Sequence, residues 1–400
     1  MILYKGQDTC FKPKQYIGDT APSQNQSDKS FACPTYKKIE FKPNPTKKRT
    51  QTIILNHPVS IIGRSSVVSK TEGKGPLAKH FSVIFDDDRM GQKSFEKAEL
   101  KMLSVAVNTA IENSSIDIDD IDAFLSGDLL NQITSSSYLA RELNLPYIGV
   151  YSACSTMSQS LLLGATMIDS THFDTIACAT ASHFATAERQ YRYPLEYGCQ
   201  RPPFAQWTVT GAGCTILSKG ESAQKNFSSS NKNLSTTVLP KQNYTPKITM
   251  GIVGKVVDFG INDINNMGAA MAPAAVDTLT TMLTETTLSL TNIDLIVTGD
   301  LGKLGSDIFR DLLKRGGIDL GGKYIDCGAI IYDHSQKCYQ GGSGAGCSAV
   351  VFNSFILDRM KRGDYKRVVF LATGALMNPT MFFQGETIPC ICHGVVVENF

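Results

Sequence analysis

No stretch of this 400-residue sequence reaches the roughly eighteen consecutive apolar residues of a membrane span, so the chain is not expected to cross a bilayer by itself. Its opening, MILYKGQD, holds three apolar residues before turning polar and lacks a signal-peptide pattern, so a secreted protein is not expected. Net charge is only +2, and nothing in it points to nucleic-acid binding by a folded part. Tryptophan occurs once, at position 207. Cysteine is not scarce: the eleven are an odd number, and most sit in apolar contexts such as IACATA and GAGCTIL without a regular disulfide-like spacing. They read as reduced thiols in a cytosol-like compartment. The CICH run at 390–393 has no second ligand pair at a recognisable spacing, so no metal site is expected.

What is there suffices for a sizeable core. With 42% hydrophobic and 19% charged residues, the chain makes one large or two intimate domains. Charge is unevenly placed, because residues 1–50 carry ten Lys/Arg against four Asp/Glu. That segment is rich in Pro, Gln, Ser and Asn and shows no hydrophobic periodicity. It reads as a disordered extension, with contact to anionic lipid headgroups as the alternative.

An internal repeat organises the remainder. IDAFLSGDLL (121–130) returns as IDLIVTGDLG (293–302), an offset of 172 residues. Each is a short apolar strand closing on Gly-Asp, and each follows a helical segment. In the first, Ala98, Met102, Val105, Ala106 and Ala110 share a face, with Ser94 as the expected N-cap. Cys154 and CATA (178–181) recur as Cys347 and LATG (371–374), both at an offset of 193, with helices predicted over 154–170 and 347–362. TVTGAGCTIL (208–217) parallels IPCICHGVVV (388–397) at 180. Strand–helix alternation repeated twice predicts an α/β architecture of two halves, 51–218 and 248–400, built on mostly parallel sheets, with a flexible linker at 219–247. The changing offsets place extra loops in DHSQKCYQGGSGAG of the second half and in SHFATAERQYRYPLEYGCQRPPFAQW of the first.

Residues 150–164, VYSACSTMSQSLLLG, set Cys154 at the start of an apolar helix, where the helix dipole favours a thiolate. The glycine-rich GGSGAG lacks the Lys-Ser/Thr of a nucleotide loop and reads as close backbone packing at a helix start.

Two pseudo-equivalent βα halves with a cysteine opening the buried helix resemble the thiolase fold: pseudo-symmetric halves with mixed sheets around buried helices. Longer stretches, among them EGKGPLAKHFSVIFDDD, SGDLLNQITSSSYLAREL, TAERQYRYPLEYGCQRPPFAQWTVTGAG and NMGAAMAPAA, resemble the stage V sporulation protein AD family from about residue 57 to residue 398. The resemblance implies binding of dipicolinic acid, alone or as its calcium chelate, and transport of it into the developing spore, with a bearing on germination. It implies membrane-embedded stage V sporulation proteins as partners and a peripheral place at the forespore or spore inner membrane. No cofactor is implied. The thiolase fold makes a homodimer an expectation.

The same resemblance bears on catalysis. Condensing enzymes of this fold stabilise the enolate and oxyanion with His and Asn or a second His. Here TGDLGKLG places Asp300 where a histidine is expected, and GGSGAGCS offers neither His nor Asn. A non-catalytic protein is therefore expected, with Cys154 as a vestigial nucleophile and Cys390 and His393 nearby. The alternative is an acyl-CoA condensing enzyme using Cys154. For His393 a structural histidine at a strand end is the competing reading. Arginine forks match carboxylates and aromatic faces match a pyridine ring, so Arg189, Arg192, Tyr193 and Arg201 are the expected ligand contacts. His183, Cys154 and His393 complete the expected set. Bracing of that loop through Glu188 and Glu196 is the bland alternative. Asp128 and Asp300, at equivalent strand ends, are expected to share a structural role rather than to ligate calcium.

Overall fold

The computed structural model describes residues 50–191, 203–220 and 244–400. The basic extension up to residue 49, the core of the 219–247 linker, and Arg192, Tyr193 and Arg201 lie outside the described residues.

The first half runs β1 (Thr52–Val68), β2 (Val83–Ile84), α1 (Phe95–Ser114), β3 (Ala123–Gly127), α2 (Thr134–Leu143), β4 (Tyr147–Gly149), α3 (Thr156–Asp169), β5 (Thr175–Ser182), α4 (Phe184–Tyr191), β6 (Trp207–Thr208) and β7 (Gly211–Ser218). The second half runs β8 (Lys247–Ile252), α5 (Met267–Glu285), β9 (Leu295–Thr298), α6 (Gly302–Arg315), β10 (Tyr324–Asp326), α7 (Cys327–Ile331), β11 (Gly342–Ser343), α8 (Ala345–Val351), α9 (Leu357–Lys361), β12 (Arg367–Ala375), α10 (Pro379–Phe383) and β13 (Cys390–Glu398).

Each half arranges its five main strands identically. The orders are β4-β3-β5-β7-β1 and β10-β9-β12-β13-β8, so the repeated sequence segments occupy matching places. The sheets are mixed. Strands linked by helical crossovers pair in parallel, as in β3–β5 and β9–β12, while β7 and β13 return antiparallel. The halves are not two separate sheets, because β1 is 17 residues long. Its later part pairs with β7 and its earlier part with β8, joining both halves into one sheet. Pro58 cannot donate to a ladder, and it falls in the register shift between Ile54 and Val59. There Asp169 accepts from the Asn56 and His57 N–H groups at 3.0 and 2.8 Å.

Ser94 caps α1 by accepting from Lys97 N at 3.3 Å, and the helix buries Ala98, Met102, Ala106 and Ala110. Helix α3 is apolar around most of its girth because strands of both halves cover it, β5 on one side and β12 and β13 on the other. The continuous helix predicted over 347–362 is interrupted by a π-helical segment, Phe352–Ile356. Arg64 from β1 donates there to the Asn353 and Ser354 carbonyls and pairs with Asp358 at 2.6 Å, drawing carbonyls out of the α ladder. All eight described cysteines are free thiols and buried.

Candidate functional site

The chain from β4 enters α3 through a sharp turn in which Ala153 takes φ +50°, a strained conformation for a residue with a Cβ. Cys154 follows, buried, and lines a cavity of about 30 Å³ together with Ala187, Glu188, Tyr191, Ser343 and Gly344. That volume is about one water molecule. Strand β12 presses against the turn at Gly374, where a Cβ would lie 2.2 Å from the Ser152 carbonyl oxygen.

The cysteine's neighbour is a carboxylate. Burial pushes the Cys154 thiol well above its ordinary pKa, and the charge of the neighbouring Asp300 carboxylate adds to the rise. Asp300 is fully buried, and burial lifts its own pKa to about 6 against the lowering effect of its donors. Those donors are Thr373 Oγ1 at 2.8 Å, the Gly344 N–H at 3.0 Å and Ser343 Oγ at 3.2 Å. The acid is thus far stronger than the thiol, and the proton stays on sulfur. A helix N-terminus alone would favour the thiolate; burial first, and the Asp300 charge after it, reverse the balance.

None of the six histidines lines this cavity. His393, on β13, has both ring nitrogens engaged: Nδ1 accepts from the Gly254 N–H at 3.2 Å, so Nε2 carries the proton and faces Ser152 Oγ at 3.1 Å. Burial lowers its pKa to about 4, so the ring is neutral. His183 is likewise placed elsewhere. Its Nδ1 accepts from the Ala185 N–H at 3.1 Å, capping α4, and its Nε2 donates to the Asp88 carbonyl at 2.7 Å. Cys390 is buried on β13 with its thiol directed to the Ile388 carbonyl, and it is not part of the cavity wall.

The arginine expectation meets a helical fact. Residues one apart on a helix point about 100° apart. Glu188 and Tyr191 of α4 face the cavity, and this turns Arg189 outward, where it pairs with Glu96 of α1 at a half-exposed surface. Glu188 is not that arginine's brace; it is buried and accepts from Thr208 Oγ1 at 3.0 Å. Tyr191 donates to the Leu129 carbonyl at 2.7 Å and meets Tyr151 at 3.2 Å between hydroxyls. Trp207 lies flat against Phe184, centroids 4.0 Å apart. Glu188 is the functional candidate that sequence reasoning underweighted, although the i,i+3 spacing of Glu188 and Tyr191 in TAERQY placed them on one face.

Asp128 and Asp300 do similar local work with different partners. Asp128 accepts from Leu130 N at 3.0 Å and Ser136 N at 2.7 Å, tying down the start of α2, whereas Asp300 holds Cys154. The corresponding cap on α6 comes from Asp326, which accepts from Leu301 N and Gly302 N. The glycine-rich run is close packing: a Cβ on Gly346 would lie 2.3 Å from the Gly211 carbonyl oxygen. Its N–H groups are spent on protein acceptors, Gly344 on Asp300 and Gly346 on Ser182 Oγ. Among the described residues, no three His, Cys, Asp or Glu side chains are grouped to hold a metal ion. No helix among them is long and apolar enough to cross a membrane.

Comparison with known proteins places this geometry. The profile of the family described as Stage V sporulation protein AD matches residues 49–398. Stage V sporulation protein AD of Bacillus subtilis (strain 168) is 41% identical over 352 residues, 87% of this chain and 97% of its own. Crystal structures of Xanthomonas campestris OleA share the fold. A variant with a cysteine replaced by alanine superposes with TM-score 0.54 at 14% identity, covering 86% of this chain and 98% of its own. The cerulenin-bound protein gives 0.53 at 14%, with the same coverage.

Proposed function

This chain belongs to the stage V sporulation protein AD family of thiolase-like fold, and from that premise we propose that it is a non-catalytic protein that binds dipicolinic acid and helps load it into the developing spore. It works at the forespore, later spore, inner membrane beside membrane-embedded stage V sporulation proteins. The observation that carries the non-catalytic reading is the buried Asp300 carboxylate beside Cys154, in a cavity that no histidine lines. A carboxylate beside a developing enolate opposes the charge that a condensing enzyme must stabilise.

The same acidity shapes the ligand reading. Glu188 borders the cavity and Asp300 stands behind Cys154. Calcium neutralises the ligand's charge on chelation, and the chelate is the form proposed to bind. The ligand is larger than this cavity, so binding must open space beside Cys154. Arg189 is engaged by Glu96, and Arg192 and Arg201 remain the proposed carboxylate contacts.

Calorimetric titration with dipicolinate, with and without equimolar calcium, tests this. Binding that requires calcium, and that weakens by about 1.5–3 kcal/mol in Arg192→Ala or Arg201→Ala, is the expected result. Absence of binding at millimolar ligand, roughly −4 kcal/mol, overturns it. One observation favours the second reading, an acyl-CoA condensing enzyme: the strained turn at Ala153 still presents a cysteine at a helix start. Steady formation of a condensation product from acyl-CoA would establish that reading instead.

A further inference from the structure

A larger depression lies on the second half, apart from Cys154. It has a volume of about 270 Å³, near the lower end of small-molecule pockets, which run roughly 300–1,000 Å³. Its walls come from the extra loop flagged in sequence, residues 332–341, from the first turn of α6 at Lys303, and from Pro203. One side chain stitches the three walls together. Gln340 Oε1 accepts from Leu304 N at 3.0 Å, its Nε2 donates to the Pro203 carbonyl at 3.0 Å, and its own carbonyl accepts from Lys303 N at 2.9 Å. The floor is therefore preorganised.

The cations in this groove are uncommitted. Lys303 and Lys337 are exposed, and neither ammonium makes an ion pair among the described residues. His334 stands beside them. Asp333, the one carboxylate in the wall among the described residues, is turned to its own backbone: it accepts from the Ser335 N–H at 2.9 Å and closes a capping box with Gln336. Holding Lys337 and Tyr339 at φ +58° and +38° costs the loop conformational strain, and the half-exposed Tyr339 ring forms a rim.

We propose that this groove is a binding site for a compact polyanion bearing carboxylate or phosphate groups, held between Lys303 and Lys337 and separate from the Cys154 cavity. The four N–H groups at the start of α6 are already taken by Asp326 and Gln340, so recognition rests on the side-chain cations. The segments 300–303 and 340–344 form the partition between groove and cavity, with Lys303 and Gln340 on one side and Ser343 and Gly344 on the other.

Calorimetric titration of the full chain at low ionic strength with inorganic phosphate, citrate and dipicolinate tests the assignment. At least one probe should bind, and added salt should weaken it. Lys303→Gln and Lys337→Gln should each lower its affinity roughly two- to fivefold, and the double variant about tenfold or more. Lys255→Gln, which removes an equal charge from a lysine paired elsewhere with Asp277, should leave the affinity unchanged. Tighter binding of citrate and dipicolinate assigns the site to carboxylates, and tighter binding of phosphate to phosphoryl groups. No binding by any probe at roughly ten millimolar overturns the proposal. So does a double variant that binds like the parent, or an equal loss in Lys255→Gln.

Discussion

Replacing Asp300 with Asn should make Cys154 more reactive, although it removes the residue in contact with the thiol. The Asp300 charge is one of the causes that, after burial, hold the thiol pKa up. Removing a negative charge from beside a buried thiol favours the thiolate, so the Asn variant carries more of it at fixed pH. A less basic thiolate is a weaker nucleophile, but with a Brønsted slope of about 0.5 its larger population outweighs that loss, and the alkylation rate should rise by about tenfold. The substitution preserves shape. An Asn oxygen still accepts from Gly344 N and Ser343 Oγ, and its amide faces Thr373 Oγ1. The assay is iodoacetamide labelling at about pH 7.5, with peptide mapping to isolate Cys154 from the other ten cysteines. Access to the buried Cys154 is common to parent and variant, so the ratio of rates reports the thiol. A folded Asp300→Asn variant that labels at or below the parental rate refutes the reasoning.

Glu72, buried under Tyr332, Ser69 and the Thr210 N–H, has its pKa raised by burial from 4.5 to about 7. A raised folded-state value means stability that is full below about pH 4.5 and lost as pH rises through about 7. Glu72→Gln should therefore gain on the parent by up to about 3 kcal/mol between about pH 5 and pH 8, and a constant difference in melting temperature across that range would contradict it. Gly346→Ala should cost about 1–3 kcal/mol in chemical denaturation through the clash with Gly211, and a neutral result would undo the close-packing account of GGSGAG. His393→Ala should destabilise by about 1–3 kcal/mol, because the partly buried Gly254 N–H loses its acceptor and the buried imidazole leaves a cavity; an unchanged denaturation midpoint would count against the structural role. Removing residues 1–48 should leave the melting temperature unchanged, since that segment shows no hydrophobic periodicity and, among the described residues, β1 is tied down by the Gln51 and Thr52 N–H groups on Glu285. If the basic extension contacts lipid, the shortened chain should bind anionic vesicles more weakly in a salt-sensitive way, and equal binding would retire that role.

The architecture was legible because a duplicated strand–helix pattern leaves duplicated signals. Gly-Asp at two strand ends, cysteines at two helix starts and apolar strands at steady offsets are local features, and β3/β9, β5/β12 and β7/β13 occupy matching places. Asp300 was legible for the same reason, as the residue closing the second of two equivalent strands. Tertiary structure decided the rest. Only packing shows that β1 is long enough to join the halves, and that Arg64 breaks the helix at Phe352–Ile356. Side-chain direction decides function on α4: about 100° of helical rotation sends Glu188 to the cavity and Arg189 to Glu96, a division set by where α1 lies and invisible in composition. His183 and His393 each resemble a site residue in sequence. Their ring nitrogens are nevertheless consumed by Ala185, Asp88, Gly254 and Ser152, three of them backbone groups, because buried backbone donors and acceptors must be satisfied wherever the fold happens to bring an imidazole within reach.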